Sequence, residues 1–259
     1  MIYRPPIRFS RAANISRWIG SLAVPLVVLT LIEHRADVID TPQAHVLLIL
    51  ASVLGIVAAV AAIIGLAIVW ERGFRGAQNA LLGLFYAALA LLPAAYVGYG
   101  LIRHPALNDI STDWADPPLY GEAAFQRVGR LNPIAPPSND KIELQKLAYP
   151  DIATQHFGIG SDQLFRSARK VVEREGWKVL SETAPREDGD PGRIEAVART
   201  QVFGDENDVV IRVRGESYGA AIDVRSSSRY GSRDLGQNAR RIRTFFTALN
   251  TAVTESFGN

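Results

Sequence analysis

The residues best suited to chemistry form one short segment near the C-terminus, from Asp223 to Asp234. This segment contains three arginines, four serines and a glycine. Guanidinium groups bind carboxylates and phosphates through paired hydrogen bonds, and a helix that begins nearby offers free N–H groups and its positive dipole end. The segment therefore predicts a site for an anionic small molecule, a lipid headgroup or the carboxylate of a partner, with the candidate ligands Arg225, Ser226, Ser228, Arg229 and Arg233.

The same segment also fits a purely structural role, which stands as the alternative. Ser232 or Asp234 would cap the following helix, and Asp223 would pair with a nearby arginine, while the serines would satisfy a loop backbone. The positive charge continues along that helix through Arg240, Arg241 and Arg243. Aromatic residues are not interleaved with these arginines as they are on nucleic-acid surfaces, so we expect no nucleic-acid partner.

The usual signs of catalysis are weak in this sequence. Residues 215–219 match the G-x-S-x-G pattern, but a nucleophile elbow joins a strand to a helix, whereas this segment joins two predicted strands. A hydrolase acting through Ser217 would also need a neighbouring histidine, and the soluble part holds only His104 and His156. There is no cysteine, which excludes disulfides, thiolate metal sites and cysteine nucleophiles. We predict no enzymatic activity, no metal and no cofactor.

Long apolar runs near the N-terminus predict three transmembrane helices, over about residues 18–32, 44–70 and 80–102. A hydrocarbon core about 30 Å thick needs roughly 20 apolar residues in a helix. Only 11 of the 54 charged residues precede Arg103, and those 11 lie outside the apolar runs. The first run resembles the apolar part of a signal peptide, but residues 33–37 after it form no small-x-small cleavage site. We therefore predict a retained first span.

The distribution of arginine predicts how the chain crosses the bilayer. The N-terminal arm has four arginines, the first loop has one and the second loop has two. Basic residues favour the cytoplasmic side, so the N-terminus is predicted in the cytoplasm and the C-terminal domain outside it, which means the inner membrane and periplasm of a bacterium. The spans carry no ionic side chain that would indicate a proton or ion pathway. Their glycines Gly55, Gly65 and Gly83 could contact a membrane-protein partner, which makes an accessory subunit of a larger complex the alternative function.

The part beyond the spans predicts an α+β domain. Residues 104–150 form an irregular, proline-rich lead-in, with a short helix expected around 121–128. Within residues 151–259, a helix capped by Ser161 and stopped by Gly176 comes before four strands, at about 177–181, 193–203, 208–214 and 220–226. A final helix has one apolar stripe from Leu235 to Val253. The short connections predict a four-stranded antiparallel sheet with helices on one face.

The sequence resembles the domain of unknown function 1499 family over roughly residues 109–257. The resemblance rests on residues 222–229, Gly231, residues 234–236, Asn238-Ala239 and Arg241-Ile242, and on residues 109–113 and 116–118 near the domain's beginning. Many members carry a Cys-Pro and Asn-Cys pair that this chain lacks, so no redox or metal role is implied. The family has no assigned activity to carry over. The resemblance implies that a group of residues is shared with the family, for a structural or a functional reason: Asp223, Arg225, Ser226, Ser228 and Arg229.

Overall fold

The structure is a computed structural model that describes residues 8–127, 129, 131–186 and 189–257. The chain divides into two compact units, residues 1–99 and residues 100–259. Three helices account for the first unit: α1 (Arg11–Arg35), α2 (Thr41–Arg72) and α3 (Ala77–Arg103), whose last turn belongs to the second unit. All three are long and apolar enough to cross a membrane, with mean hydropathies of 1.9, 3.0 and 2.0 over their most apolar windows. The prediction of three candidate spans is confirmed.

Small residues bring the three helices close together. A Cβ atom on Gly65 would lie 2.7 Å from the backbone nitrogen of Ala13, and one on Gly83 would lie 2.8 Å from the Cβ of Ser16. Gly55 meets Ala90 of α3 in the same way, at 3.2 Å. The three glycines that could have contacted a partner subunit therefore pack against helices of their own chain.

Substitution of Gly65 by alanine is expected to loosen the contact between α1 and α2. The new methyl group would overlap the backbone of Ala13, which cannot move without displacing α1, at a cost of about 1–3 kcal/mol. Thermal unfolding of the full chain in detergent should therefore begin at a lower temperature. Gly98→Ala is the matched control, because nothing lies within 4 Å of a Cβ atom there. Equal unfolding temperatures for the two variants would contradict this packing.

The second unit is built around an antiparallel sheet. Its elements, in chain order, are β1 (Asp109–Ser111), α4 (Glu122–Gln126), α5 (Asn139–Ala148), β2 (Gln155–Phe157), α6 (Ser161–Arg174), β3 (Lys178–Thr183), β4 (Gly192–Arg199), β5 (Glu206–Glu216), β6 (Gly219–Ser228) and α7 (Gln237–Phe257). The strand order is β1-β6-β5-β4-β3, and β2 pairs with the same edge of β6 as β1.

The α+β class is confirmed, but the sheet has six strands, not four. The two strands that the sequence did not predict have three residues each, which is too short for an alternating pattern to be visible. Both come before the four predicted strands in the chain, and β1 lies within the lead-in. The expected short helix is present in the lead-in as α4.

One face of the sheet carries the apolar core. Ile222 and Val224 of β6 and Ile211 of β5 are buried there with residues of α6 and α7. The predicted stripe of α7 is buried from Ala239 onwards. Leu235 lies before the helix instead, with a positive φ of 54°. At the start of α6 the expectation was one residue off, because Gly160 is the N-cap and Ser161 the first helical residue.

The opposite face of the sheet is charged and is covered by the lead-in. The backbone N–H groups of Gly121 and Ala123 donate to the two carboxylate oxygens of Glu195 on β4, at 2.8 and 3.1 Å. The hydroxyl of Tyr120 donates to the carbonyl of Asp208 on β5 at 3.2 Å. The expectation of helices on one face holds for α6 and α7, whereas the short helix α4 packs on this opposite face.

Candidate functional site

The side chains of residues 223–234, which we name the Arg/Ser segment, do not converge on one point. Strand β6 continues to Ser228, and successive side chains of a strand point to opposite faces. Arg225 therefore contacts the lead-in on the charged face, while Ser226 and Ser228 contact α7 on the apolar face. Arg229 also lies on the charged side, against Asp208. Arg233 stands in the exposed connection to α7, where it donates to the carbonyl of Leu101 at 3.2 Å.

Arg225 is buried, with an exposed fraction of 2%, and its donors face acceptors of the protein itself. Its Nε and Nη2 atoms bind the two oxygens of Asp109 at 3.0 and 2.8 Å. Nη1 and Nη2 also donate to the carbonyls of Pro118 and Ala135 at 3.2 and 3.1 Å, and the guanidinium lies over the ring of Tyr120 at 5.0 Å. Burial opposes the charge, but the bonds to Asp109 outweigh it and raise the pKa of Arg225.

Asp208 joins two arginines on the charged face. The carboxylate is fully buried and accepts Arg229 Nη2 at 2.8 Å on one oxygen and Arg127 Nε at 2.6 Å on the other. Arg229 also donates to Glu206 at 2.5 Å and to Gln126 at 3.3 Å. Its charge is thus compensated inside the domain, and these bonds raise the pKa of Arg229 despite burial.

Asp223 is paired with arginines, as the structural alternative expected, though not with those of its own segment. Its Oδ2 atom accepts Arg212 Nη2 at 3.0 Å and Arg214 Nη2 at 2.8 Å, and Oδ1 accepts the hydroxyl of Thr154 at 2.5 Å. Arg212 reaches further to Asp113 at 2.9 Å. The charged face is therefore a network of ion pairs, most of them largely buried, between the strands and the lead-in.

Asp234 occupies the start of α7 that was expected to attract an external anion. Its carboxylate accepts the N–H groups of Gly236 and Asn238 at 2.9 and 2.7 Å. Burial raises the pKa of the Asp234 carboxyl, while these backbone bonds oppose the rise. Ser232 is exposed and makes no hydrogen bond among the described residues. The helix start is thus already capped by a carboxylate of the chain.

Arg241, on α7, is a potential site residue that the sequence indicated only as part of the charge along the helix and of the family resemblance. Its Nη1 atom donates to Ser226 Oγ at 2.9 Å and to Asn238 Oδ1 at 2.7 Å. Burial lowers the pKa of the Arg241 guanidinium to about 10, so the group stays charged at neutral pH. Within the described ranges it forms no ion pair, and its Nε and Nη2 atoms have no hydrogen-bond partner. The signal available in the sequence was its spacing of three from Asn238, which places both on one side of a helix.

The second unit matches a known protein family. A family described as protein of unknown function (DUF1499) matches residues 109–249, which is more than half of the chain. The chain belongs to the DUF1499 family. The match begins at β1 and ends within α7, so it includes both faces of the sheet and every residue of the Arg/Ser segment. No curated protein matches the sequence.

The DUF1499 domain places the G-x-S-x-G pattern in a hairpin turn. Ser217 and Tyr218 form the two-residue connection between β5 and β6, and Gly219 has a φ of 130°. His156 is exposed and binds Glu216 at 3.0 Å, but no hydrogen bond joins it to Ser217 in the part of the chain that the structure describes. Nor do the described residues contain a group of three or more metal-binding side chains.

Proposed function

We propose that the protein is a non-enzymatic membrane protein whose DUF1499 domain binds an anionic group through the guanidinium of Arg241. The observation that carries the proposal is the Nε–Nη2 edge of this side chain. In Arg225 and Arg229 the same edge is occupied by the carboxylates of Asp109 and Asp208. In Arg241 this edge has no partner among the described residues, which leaves the two-donor arrangement that carboxylates and phosphates fit.

Charge balance supports an external anion at this position. A partly buried cation is costly unless it is paired, and Asp234, the acidic residue that acts most on the charge of Arg241, forms no ion pair with it. Both oxygens of Asp234 already accept backbone N–H groups. A carboxylate or phosphate bound at the Nε–Nη2 edge would supply the missing charge.

The surroundings of Arg241 would hold the guanidinium ready for its ligand. Asn238 accepts from Arg241, and the hydroxyl of Ser226 also donates to Asn238, at 2.8 Å. The amide group of Asn238 donates in turn to Ser228 Oγ and to the carbonyl of Asn108, both at 3.1 Å. In this proposal Ser226 and Ser228 still belong to the site, as the sequence suggested, but their role is to position Arg241 and not to bind the anion. Arg225 and Arg229 stabilise the fold instead, through their bonds to Asp109 and Asp208.

The candidate spans and the charges around them support a location for the protein. Three spans with an arginine-rich N-terminal arm favour a multi-pass protein with a cytoplasmic N-terminus and a DUF1499 domain on the opposite side. In a bacterium this corresponds to the inner membrane and the periplasm. Ligands at Arg241 would then come from the periplasm.

The test is native mass spectrometry of the full chain released from its own membranes in a mild detergent. Wild-type protein should carry a small bound mass, which Arg241→Gln should lose, because two charge-assisted hydrogen bonds correspond to about a 10- to 100-fold change in affinity. Arg241→Lys should also lose most of it, since lysine keeps the charge but lacks the two-donor edge.

The matched control is Arg166→Gln, which removes an exposed positive charge from α6 of the same domain. It should retain the bound mass. All three variants should unfold within about 1 kcal/mol of the wild-type protein, which separates loss of the ligand from loss of the fold. A bound mass that survives in Arg241→Gln would overturn the proposal, as would wild-type protein without any bound mass.

The alternative function, an accessory or structural subunit of a membrane complex, is favoured by a different observation. Leu119 and Phe125, both in the lead-in, are large apolar side chains exposed to solvent. A protein partner would remove them from water. In the same mass spectrum an added subunit mass would support this function, and substitution of Phe125 by serine should then release the subunit.

A further inference from the structure

We propose that one end of the first unit binds the headgroup of an anionic phospholipid. This end, which we name the arginine end, comprises the side chains of Arg8, Arg11, Arg72 and Arg75. Arg8 lies in the N-terminal arm, Arg11 begins α1, and the other two lie at the end of α2 and in the following loop. The site is separate from Arg241, and its ligand is an acidic lipid of the surrounding bilayer.

Backbone hydrogen bonds bring these arginines together. The N-terminal arm pairs with the second loop through a parallel bridge between Phe9 and Arg75. The N–H of Ser10 donates to the carbonyl of Arg75, and the N–H of Arg75 donates to the carbonyl of Arg8, each at 2.9 Å. Gly76 allows this close approach, because a Cβ atom there would lie 3.3 Å from that of Ala13. The arginine end is therefore a defined structure and not a chance grouping of charges.

The charges of the arginine end are not neutralised by the chain. All four side chains belong to exposed residues, and none forms an ion pair or hydrogen bond with any residue that the structure describes. Glu71 is the one acidic residue in the segments 8–20 and 68–80, and it joins no ion pair there either. The starts of α1 and α3 lie at the same end as the C-terminus of α2, so two positive helix-dipole ends stand against one negative end. By contrast, the side chains of Arg225 and Arg229 in the domain face the carboxylates of Asp109 and Asp208.

Exposed aromatic residues indicate that the bound phosphate belongs to a lipid. Trp18 and Trp70 are 71% and 90% exposed, on the helices whose ends carry Arg11 and Arg72. Tryptophan is enriched at membrane–water interfaces, where the indole lies at the level of the headgroups. Guanidinium groups just beyond that level would contact lipid phosphates, which they bind in a bidentate manner.

The test compares lipid retention by the full chain in a neutral detergent, measured by native mass spectrometry. Phosphatidylglycerol and phosphatidylcholine are added at equal concentration, and the wild-type protein should retain the acidic lipid preferentially. The Arg11→Gln, Arg75→Gln double variant should bind phosphatidylglycerol about 30-fold more weakly. The control is the Arg166→Gln, Arg240→Gln double variant, which removes the same amount of charge from exposed positions of the DUF1499 domain. It should retain phosphatidylglycerol as the wild-type protein does.

A separate titration with inorganic phosphate distinguishes the two sources of the anion. Phosphate at millimolar concentration should neither bind alone nor displace phosphatidylglycerol. Displacement would show that the arginines take a soluble phosphate, which overturns the lipid as ligand. Equal retention of the two lipids by the wild-type protein, or unchanged retention in the Arg11 and Arg75 variant, would also overturn the proposal. Neither result bears on Arg241, because its variants are read from a different bound mass.

Discussion

Replacement of Arg225 by alanine should strongly destabilise the DUF1499 domain, lowering its free energy of unfolding by about 3–5 kcal/mol. The substitution leaves the carboxylate of Asp109 without its bidentate partner, in a position where its side chain is 17% exposed. It also removes the donors to the carbonyls of Pro118 and Ala135, which tie the lead-in to the sheet. Because whole domains are stable by only about 5–15 kcal/mol, the loss is a large fraction of the total.

Urea denaturation of the full chain in detergent, followed by tryptophan fluorescence, measures this effect through Trp114 and Trp177 of the domain. Arg225→Lys should be destabilised almost as much, because a lysine cannot bind both oxygens of Asp109 and two carbonyls together. Arg166→Ala is the control and should change the free energy by less than about 0.5 kcal/mol. If Arg225→Ala kept wild-type stability but lost a bound anion, the binding role predicted from the sequence would be correct after all.

The second large effect is expected from Asp208→Asn, which preserves the shape of the side chain and removes its charge. Arg127 and Arg229 would then share no carboxylate between them, and both are largely buried, with side-chain exposures of 2% and 11%. Removing the charge of one partner of a buried ion pair costs about 3–5 kcal/mol, because the other partner stays buried and charged. Glu206 still faces Arg229, so the greater change is expected around Arg127.

Limited proteolysis can locate that change. Arg127 holds the lead-in through the carbonyls of Asn132 and Ser227, at 3.1 and 2.9 Å, so its release should expose the lead-in to trypsin before the sheet unfolds. Glu143→Gln, an exposed acid-to-amide change on α5, should digest at the wild-type rate. Digestion of Asp208→Asn at that same rate would mean that the ion pairs do not hold the lead-in in place.

The parts of the fold that depend on periodicity could be predicted from the sequence. The three spans, the apolar stripe of α7 and the four longer strands each repeat a pattern over enough residues to be visible. Gly176 ends α6 with a φ of 67°, as its position after the helical pattern suggested. These features depend on local sequence, so no knowledge of distant contacts was needed.

The charged face could not be predicted, because its pattern lies in pairs of residues that are far apart in the chain. The sequence of the lead-in has no regular pattern, because its structure is fixed by contacts with the strands, such as that between Asp109 and Arg225. The arrangement of the candidate site residues could not be predicted for a related reason. β6 extends two residues beyond the predicted Ser226, since pairing with β5 overrides the low strand propensity of serine. Residues expected in one loop therefore point to both faces of the sheet.

The lead-in imposes an order on the folding of the chain. Asp109 and Arg225 are 116 positions apart, and Asn132 is held by residues close to Arg229. The acids and carbonyls of the lead-in are thus synthesised long before the strand that satisfies them. Contacts of such long sequence separation slow folding, because the chain must close a large loop before it gains any of them. The domain is expected to complete its fold only after β6 has left the ribosome, so the lead-in stays without its partners until the last strand has been made.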